Sequence, residues 1–576
     1  MKIPRARVQT LLLALGVGLA TACLMLATEP QLAIGWDEGY TLGREARLRD
    51  WFRALFDPSR FAAEWQPLPL DRDLVQRDQN PPSPNQLGSR WALLTDRTAL
   101  EWFWPFAREE PHGHPPFYAL IGLVGDVMAP SWQVLPRARL GPILLFSLTA
   151  GVIHGFVSAR WGAWAAALAA GSWVLQPNLF GHGHYAAYDA VLASLWILAI
   201  IFFAHAVMPK ADSGAERQPA QWGWRIAFGV ILGCAAATKF TGWFLPFPFF
   251  IWSSVYRSRP GFKTLLFGGL IAFAVVLGLM PPWWTDPVNG VVRFLNSNLF
   301  RGKSILIEVQ FLGVRYITPK QSLPWYNTLV WTLFVTPVGF LILAGTGFWA
   351  ALRFWRSEPI GPLIVVHWAF LMALRALPYT PGHDGVRLFL PAFGVLALLG
   401  GLGAQYMINR WGQWAKLATA LALIEGIVAV AVMMPVPLSY FSPLVGGLPG
   451  ARALGMEPTY YWDALDKDSR RWLAANTQMG ETIQFATFPH SWLYLRDTGD
   501  LPKRLVETDR GQPIWYVLQN RPGAFSDADR ALAAQGRPAY SVTKMGVPLV
   551  WIFPYSEFRR LHAQARIQAQ NIPFGW

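Results

Sequence analysis

Four stretches of this 576-residue chain gather side chains that can move protons or hold anions, and a fifth places a lone cation among apolar residues. The first is Ile34-Gly35-Trp36-Asp37-Glu38-Gly39-Tyr40, where two adjacent carboxylates follow directly on an apolar run. Carboxylates at a membrane boundary are costly to desolvate. This pair can supply a general base that takes a proton from an acceptor hydroxyl, can ligate a cation, or can be the solvated acids of an interfacial loop; spacing leaves these open.

The second stretch is Glu109-Glu110-Pro111-His112-Gly113-His114-Pro115-Pro116. Its prolines fix the backbone ahead of a helix start, which would present His114 beside unpaired amide groups. The third runs from Pro177 to Asp189 and carries His182, His184, Tyr185 and Tyr188. The fourth, Gly382-His383-Asp384-Gly385-Val386-Arg387, lies far along the chain. A single histidine near a helix end usually satisfies a local hydrogen bond. Several histidines and acids converging from four stretches permit a divalent-cation site built on His182, His184 and His383, although no pair carries a strong ligand signature such as His-Glu-x-x-His. The lone cation is Lys239, inside an apolar run. A lysine in a span costs roughly 2.5–3.5 kcal/mol on insertion scales unless it is paired or snorkels. Counted from Arg225 at 1.5 Å per residue it stands about 21 Å along the span. That height suits a lipid phosphate, which Lys239 would hold as a point charge and Arg387 with a bidentate grip.

These side chains need elements to position them, and composition says which kind. The chain is 53% hydrophobic and 15% charged, well below the about 25% charged of an ordinary soluble domain. Apolar runs long enough to cross about 30 Å of hydrocarbon recur along it. They are about Val8–Leu26, Leu140–Ser158, Trp161–Pro177, Tyr188–Met208, Ile226–Tyr256 (room for two short helices), Thr264–Pro281, Trp325–Leu352, Ile360–Leu377, Leu388–Ile408 and Leu417–Pro435. An α-helical polytopic membrane protein with about eleven transmembrane helices is expected, its first helix retained rather than cleaved as a signal peptide. The net charge of +14 resides largely in short basic segments between the runs, at Arg160, 210–225, 257–263, 353–356 and 409–416. That is the positive-inside pattern, not a nucleic-acid footprint, and it puts the amino terminus in the cytoplasm. The topology closes if the proline-initiated segment Pro115–Ala129 lies in the interface without spanning. Cys23 and Cys234 both sit in apolar runs, so no disulfide framework is available.

Three elements are then extracytoplasmic: a first loop over about 28–139, a second over 282–324 and a tail over 437–576. The tail reads as a small α/β domain, with a helix over 463–476, strands at 482–487 and 513–518, a capped helix start at Ser526 and a hairpin over 540–553 around Gly546. Residues 1–436 read as the membrane domain.

The ordered set of motifs resembles the GT-C superfamily, and within it the protein O-mannosyltransferase and aminoarabinose-transferase-like branch. The resemblance rests on Asp37-Glu38 after the first span, His114-Pro115-Pro116, Asp189 at a helix end, Thr238-Lys239, Leu323-Pro324-Trp325-Tyr326 with Thr336-Pro337, and Arg387-Leu388-Phe389-Leu390-Pro391. It implies an inverting transferase that moves a sugar from a polyprenyl-phosphate donor to a hydroxyl of a glycan, lipid or protein acceptor at the outer face of the inner membrane. Asp37 would be the general base, and Glu38 would orient the acceptor or support Asp37. His114 and Asp189 would shape the site, and Lys239 with Arg387 would hold the donor phosphate. One outward-opening cavity lined by Asp37, Glu38, His114, Asp189 and Arg387 is therefore expected. A secondary transporter or lipid flippase is the alternative; unequal loops and ionisable groups gathered at one face speak against it.

Overall fold

A computed structural model of the chain describes residues 5–64, 89–108, 113–208, 217–300, 306–318, 320–487, 494–496, 500–501 and 512–570. Glu109, Glu110 and His112 lie outside the described residues. The molecule is mainly a bundle of apolar helices. Among the described residues six are long and apolar enough to cross a membrane: Val8–Gln31, Val134–Trp161, Tyr188–Val207, Arg259–Gly278, Pro391–Trp411 and Gln413–Met433. Shorter apolar helices fill the bundle, including Ala163–Leu175, Val338–Arg353 and Ile360–Ala376.

Two expected runs are interrupted, each for a local reason. The run over 226–256 is the helix Arg217–Ala236 and the helix Pro246–Val255 joined by a tight turn at Phe240–Phe244. A Cβ on Gly242 would lie 2.1 Å from the Ala235 carbonyl oxygen, so the turn closes only around glycine, and it leaves Lys239 in extended backbone between helices. The run over 325–352, expected as one span, is two helices, Asn327–Val335 and Val338–Arg353. Pro337 drives Thr336 out of the helical region to φ −107°, ψ 134°, as a proline does to the residue before it. The segment 115–129 forms the short helices Phe117–Gly122 and Val124–Met128.

Side-chain exposure marks the lipid-facing surface. On Gln413–Met433, Leu417, Leu421, Ile424, Val428 and Val432 are all about half exposed at spacings of three and four residues. That is one apolar stripe of a helix with no protein partner, as lipid contact requires. Inside the bundle, small residues let helices touch. Val338–Arg353 packs against Pro391–Trp411 where Gly347 and Gly403 face each other's backbones; a Cβ on either would meet the carbonyl oxygen of Leu399 or of Leu343 at 1.9 Å.

The tail contains the elements its sequence announces. Helix Lys467–Ala475 is capped by Asp466, and helix Asp527–Gln535 by a reciprocal Ser526–Asp529 box. A four-stranded sheet has the order β3-β4-β6-β5, with β3 Glu481–Phe485, β4 Gln512–Gln519, β5 Tyr540–Lys544 and β6 Val547–Pro554. β3 runs parallel to β4, and the other pairs are antiparallel. One sheet face, with Val517, Val550 and Ile552, joins the main core, whereas Tyr516, Leu518 and Phe553 form a second cluster with Leu532 and Leu561. The main core is continuous across residue 436, since Phe441, Tyr461 and Leu473 share it with Phe146, Trp173 and Phe393. A separate hairpin, β1 Ile307–Phe311 with β2 Val314–Thr318, lies near the carboxyl-terminal region, where Gly313 N–H donates to the Gly455 carbonyl.

The helix contact through Gly347 and Gly403 has no slack. Gly403→Leu is expected to cost about 1–3 kcal/mol or more through overpacking, read as a lower Tm in detergent. Gly345→Ala on the facing helix Val338–Arg353 meets nothing within 4 Å and is expected to leave Tm unchanged or slightly raised. Equal Tm values for the two variants would refute the close-packed contact.

Candidate active site

Helix starts bring the acids into place. Asp37 and Glu38 lie in the first turn of helix Trp36–Phe56, and Asp189 in the first turn of Tyr188–Val207, where the helix dipole favours negative charge. Arg387 opens a short turn at Arg387–Phe389 just before helix Pro391–Trp411. The turn before it holds Asp384 and Gly385 in the left-handed region at φ 59° and 57°. Glycine is required at 385, since a Cβ there would press on the Tyr460 ring at 2.9 Å.

Arg387 is the hub. Its Nη1 donates to Asp37 Oδ2 and lies 3.2 Å from Asp384 Oδ2, while its Nε is 3.5 Å from Asp189 Oδ2. Lys239 Nζ closes on Asp189 Oδ1 at 2.5 Å, and Arg521 Nη1 on Asp384 Oδ1 at 2.9 Å. All six side chains are buried. Rings complete the enclosure: Tyr188 and Tyr461 hydroxyls donate to Asp37 Oδ2 at 2.8 and 3.0 Å. The Arg387 guanidinium lies 5.6 Å from the Tyr188 ring centroid and 5.3 Å from that of Tyr461. Burial and the neighbouring Asp37 carboxylate push the Tyr461 hydroxyl well above its ordinary value, which keeps it a proton donor. All three donors to Asp37 reach Oδ2; among the described residues no hydrogen bond reaches Oδ1.

A cavity of about 500 Å³ opens over this network. Asp37, His114, Asp384 and Arg387 line it, with Tyr40, Arg44, Tyr188 and His383. The tail and the hairpin contribute Trp462, Arg521 and Glu308. Trp462 adopts φ 55°, a rare conformation for a bulky side chain. Its ring sits 4.5 Å from Trp36 and 4.0 Å beneath the Arg521 guanidinium.

Three of the five residues expected around one cavity therefore line it, and two stand behind it. Glu38 faces Arg139, not the cavity. Arg139 Nε and Nη2 each donate to Glu38 at 2.7 Å, and the Gly35 and Ala186 amides donate to the same carboxylate. Arg139 also binds Glu29 at 3.0 Å. Glu38 thus clamps the amino end of its helix to Val134–Trp161. Asp189 sits between Lys239 and Arg387, and Lys239 is absent from the cavity wall, its ammonium committed to Asp189.

The described histidines of the third and fourth stretches are held by separate partners. His184 places Nδ1 2.7 Å from the Phe180 carbonyl oxygen and Nε2 3.0 Å from the Thr28 hydroxyl. His182 faces Tyr460, and burial, aided by the positive charge of Arg387 and Lys239, lowers its pKa to about 3. Of His182, His184 and His383, only His383 lines the cavity, where His114 also stands. Among the described residues no three His, Cys, Asp or Glu side chains are arranged to hold a metal ion, so no step below passes through one. Sequence reasoning missed Arg139, Tyr188 as a ligand of Asp37, and every contribution of Tyr461, Trp462 and Arg521.

Residues 114–284, the segment carrying His114, Asp189 and Lys239, match the family model for dolichyl-phosphate-mannose-protein mannosyltransferases. The fold is that of ArnT from Cupriavidus metallidurans bound to undecaprenyl phosphate, at 16% identity and a TM-score of 0.50, covering 94% of this chain and 97% of that one. The apo oligosaccharyltransferase of Archaeoglobus fulgidus aligns at 11% identity and a TM-score of 0.45, over 88% of this chain and 64% of that one. No curated protein matches the chain by sequence. The family match over 114–284 and the fold shared with ArnT bear out the resemblance to the GT-C superfamily, whose members are multi-pass membrane proteins.

Two measurements probe the buried charges. Arg139→Gln leaves Glu38 unpaired and is expected to lower stability by about 3–5 kcal/mol, seen as a large drop in Tm; an unchanged Tm would show the clamp to be dispensable. Burial, opposed by Arg521, pushes the Glu457 carboxyl from 4.5 up to about 7. The folded protein keeps a proton there that the unfolded chain has lost, so this contribution is full below pH 4.5 and disappears as pH rises to 7. Tm is expected to fall across that window, and to fall less in Glu457→Gln. Parallel profiles would contradict the assignment.

Proposed function

We propose that the chain is an inverting glycosyltransferase that moves a sugar from a polyprenyl-phosphate donor to an acceptor hydroxyl. Asp37 carries this reading: it is a cavity-lining carboxylate whose Oδ2 is held by Arg387, Tyr188 and Tyr461 while Oδ1 is left for a substrate proton. Three donors on one oxygen fix the rotamer of the base before substrate arrives, which is how preorganisation contributes to rate.

In the transfer, the acceptor oxygen attacks the anomeric carbon from the face opposite the phosphate. The new bond to that carbon forms as the bond to the phosphate oxygen breaks, and the hydroxyl proton passes to Asp37 Oδ1. The departing polyprenyl phosphate takes the electron pair of the broken bond. It is already a good leaving group, so charge stabilisation matters more than a general acid. Arg387 and Arg44 on the cavity wall supply positive charge there, with His114 beside them against the Tyr188 ring at 3.9 Å. Asp189 and Lys239 act through Arg387 as positioning residues. The donor phosphate thus falls to Arg387, in place of the Lys239–Arg387 pair read from sequence.

The remaining features follow the positive-inside pattern: amino terminus in the cytoplasm, cavity and carboxyl-terminal tail extracytoplasmic. The mannosyltransferase match and the bound undecaprenyl phosphate of the ArnT structure support a polyprenyl-phosphate sugar as donor. The acceptor is a hydroxyl of a glycan, lipid or protein.

The test is transfer from a panel of polyprenyl-phosphate sugars in membranes containing the full chain. Asp37→Asn is expected to reduce sugar incorporation by at least about a hundredfold while membrane insertion and carrier-lipid binding persist. Retained activity in Asp37→Asn would remove the base, and solute flux without transfer from any donor would make the chain a transporter.

A further inference from the structure

A second cavity, of about 620 Å³, lies at the other end of the bundle. Its lining includes Arg160 at the end of helix Val134–Trp161 and Arg410 at the end of Pro391–Trp411. The opposite end of the first helix carries Arg139 of the Glu38 clamp, and Arg387 lies just before the start of the second. The 21 residues from Arg139 to Arg160 rise about 30 Å, the thickness of a bilayer's hydrocarbon. The second cavity is therefore at the opposite membrane surface from the first. Exposed tryptophans at the same level mark that surface: Trp349, Trp355, Trp411 and Trp414 are 42–77% exposed, as rings at a lipid–water boundary are.

The chemistry of the lining is specific. Arg160 Nη1 is buried and has no hydrogen-bond partner. Among the described residues no carboxylate lies within ion-pair distance of Arg160 or Arg410, although Glu358 is on the rim. The Arg160 guanidinium rests 4.1 Å over the Phe156 ring, which orients the group without satisfying its donors. Two guanidinium groups on a cavity wall with no carboxylate paired to them attract an anion. Gln405, Asn409 and Tyr406 add neutral polar groups beside the arginines, and Ala350, Ala351 and Leu402 make the remaining wall apolar. Two cations, neutral polar groups and an apolar flank at an interface match a phosphodiester attached to acyl chains.

We infer that this cavity binds the headgroup of an anionic phospholipid of that leaflet, with Arg160 and Arg410 on its phosphate. The site is independent of the transferase reading, because its residues take no part in the catalytic network. Membrane affinities of about 1 kcal/mol per basic residue translate into an effect of about fivefold on removing one arginine.

The experiment is native mass spectrometry of the full chain titrated with phosphatidylglycerol or phosphatidylcholine. One phosphatidylglycerol is expected to bind in preference to phosphatidylcholine, and to resist displacement by excess inorganic phosphate. Arg160→Gln is expected to weaken it about fivefold. Ser357→Glu, at an exposed rim position that leaves the fold alone, is expected to weaken it similarly, and Glu358→Gln to strengthen it. Equal retention of both lipids would overturn the inference, as would wild-type affinity in Ser357→Glu. Displacement by inorganic phosphate would replace the lipid with a free anion.

Discussion

Arg387 must satisfy three carboxylates that reach it from three separate parts of the chain, and this requirement organises the half of the molecule around the first cavity. Asp37 comes from the first loop, Asp189 from the start of a buried helix and Asp384 from the turn just upstream. None could remain charged in its buried position alone, since an isolated buried carboxylate costs several kcal/mol. Each is tolerable because Arg387, Lys239 and Arg521 alternate with the acids in one continuous network. Its geometry fixes where the first loop enters, how far helix Tyr188–Val207 advances and which way the turn before helix Pro391–Trp411 winds. The arrangement also gives Asp37 a single orientation toward the cavity. Stability and the orientation of the proposed base depend here on the same contacts.

A second clamp works at a shorter range. Arg139, Glu38 and Glu29 join the end of the first helix, the start of the helix that carries Asp37 and the start of Val134–Trp161. Glu38 is thus one residue from the proposed base but serves architecture. Adjacent carboxylates in sequence divide their roles because successive residues of a helix point about 100° apart: Asp37 turns to the cavity and Glu38 to the bundle.

Much of this was legible in the sequence, and the limits have physical causes. Apolar runs gave the helices because lipid contact demands length and hydrophobicity, and tail elements were readable from caps such as Ser526 and turns such as Gly546. The breaks at Gly242 and Pro337 were harder, since hydropathy does not register a turn made of apolar residues. Asp37 stood out because an acid beside a span is costly to desolvate, although spacing alone left a solvated loop acid equally open. Arg139 did not, because a cation at the end of a span is the ordinary expectation of topology. Lys239 was conspicuous for its cost in lipid, but cost alone does not say whether a charge faces a ligand or a partner; Asp189 decided that. The individual partners of the histidines were not readable. His184 is consumed by backbone carbonyls and Thr28, and hydrogen bonds of that kind leave no periodic trace.

Trp462 and Arg521 belong to the carboxyl-terminal region yet stand over the same chamber as Asp37, with the apolar interior running unbroken between the two regions. The membrane bundle is consequently not a self-sufficient engine with a detachable accessory. Grafting another tail onto this bundle would rebuild one wall of the reaction chamber at the same stroke. Divergence after residue 436 is therefore a direct route by which related chains could come to serve different molecules while keeping the same proposed base and the same arginine.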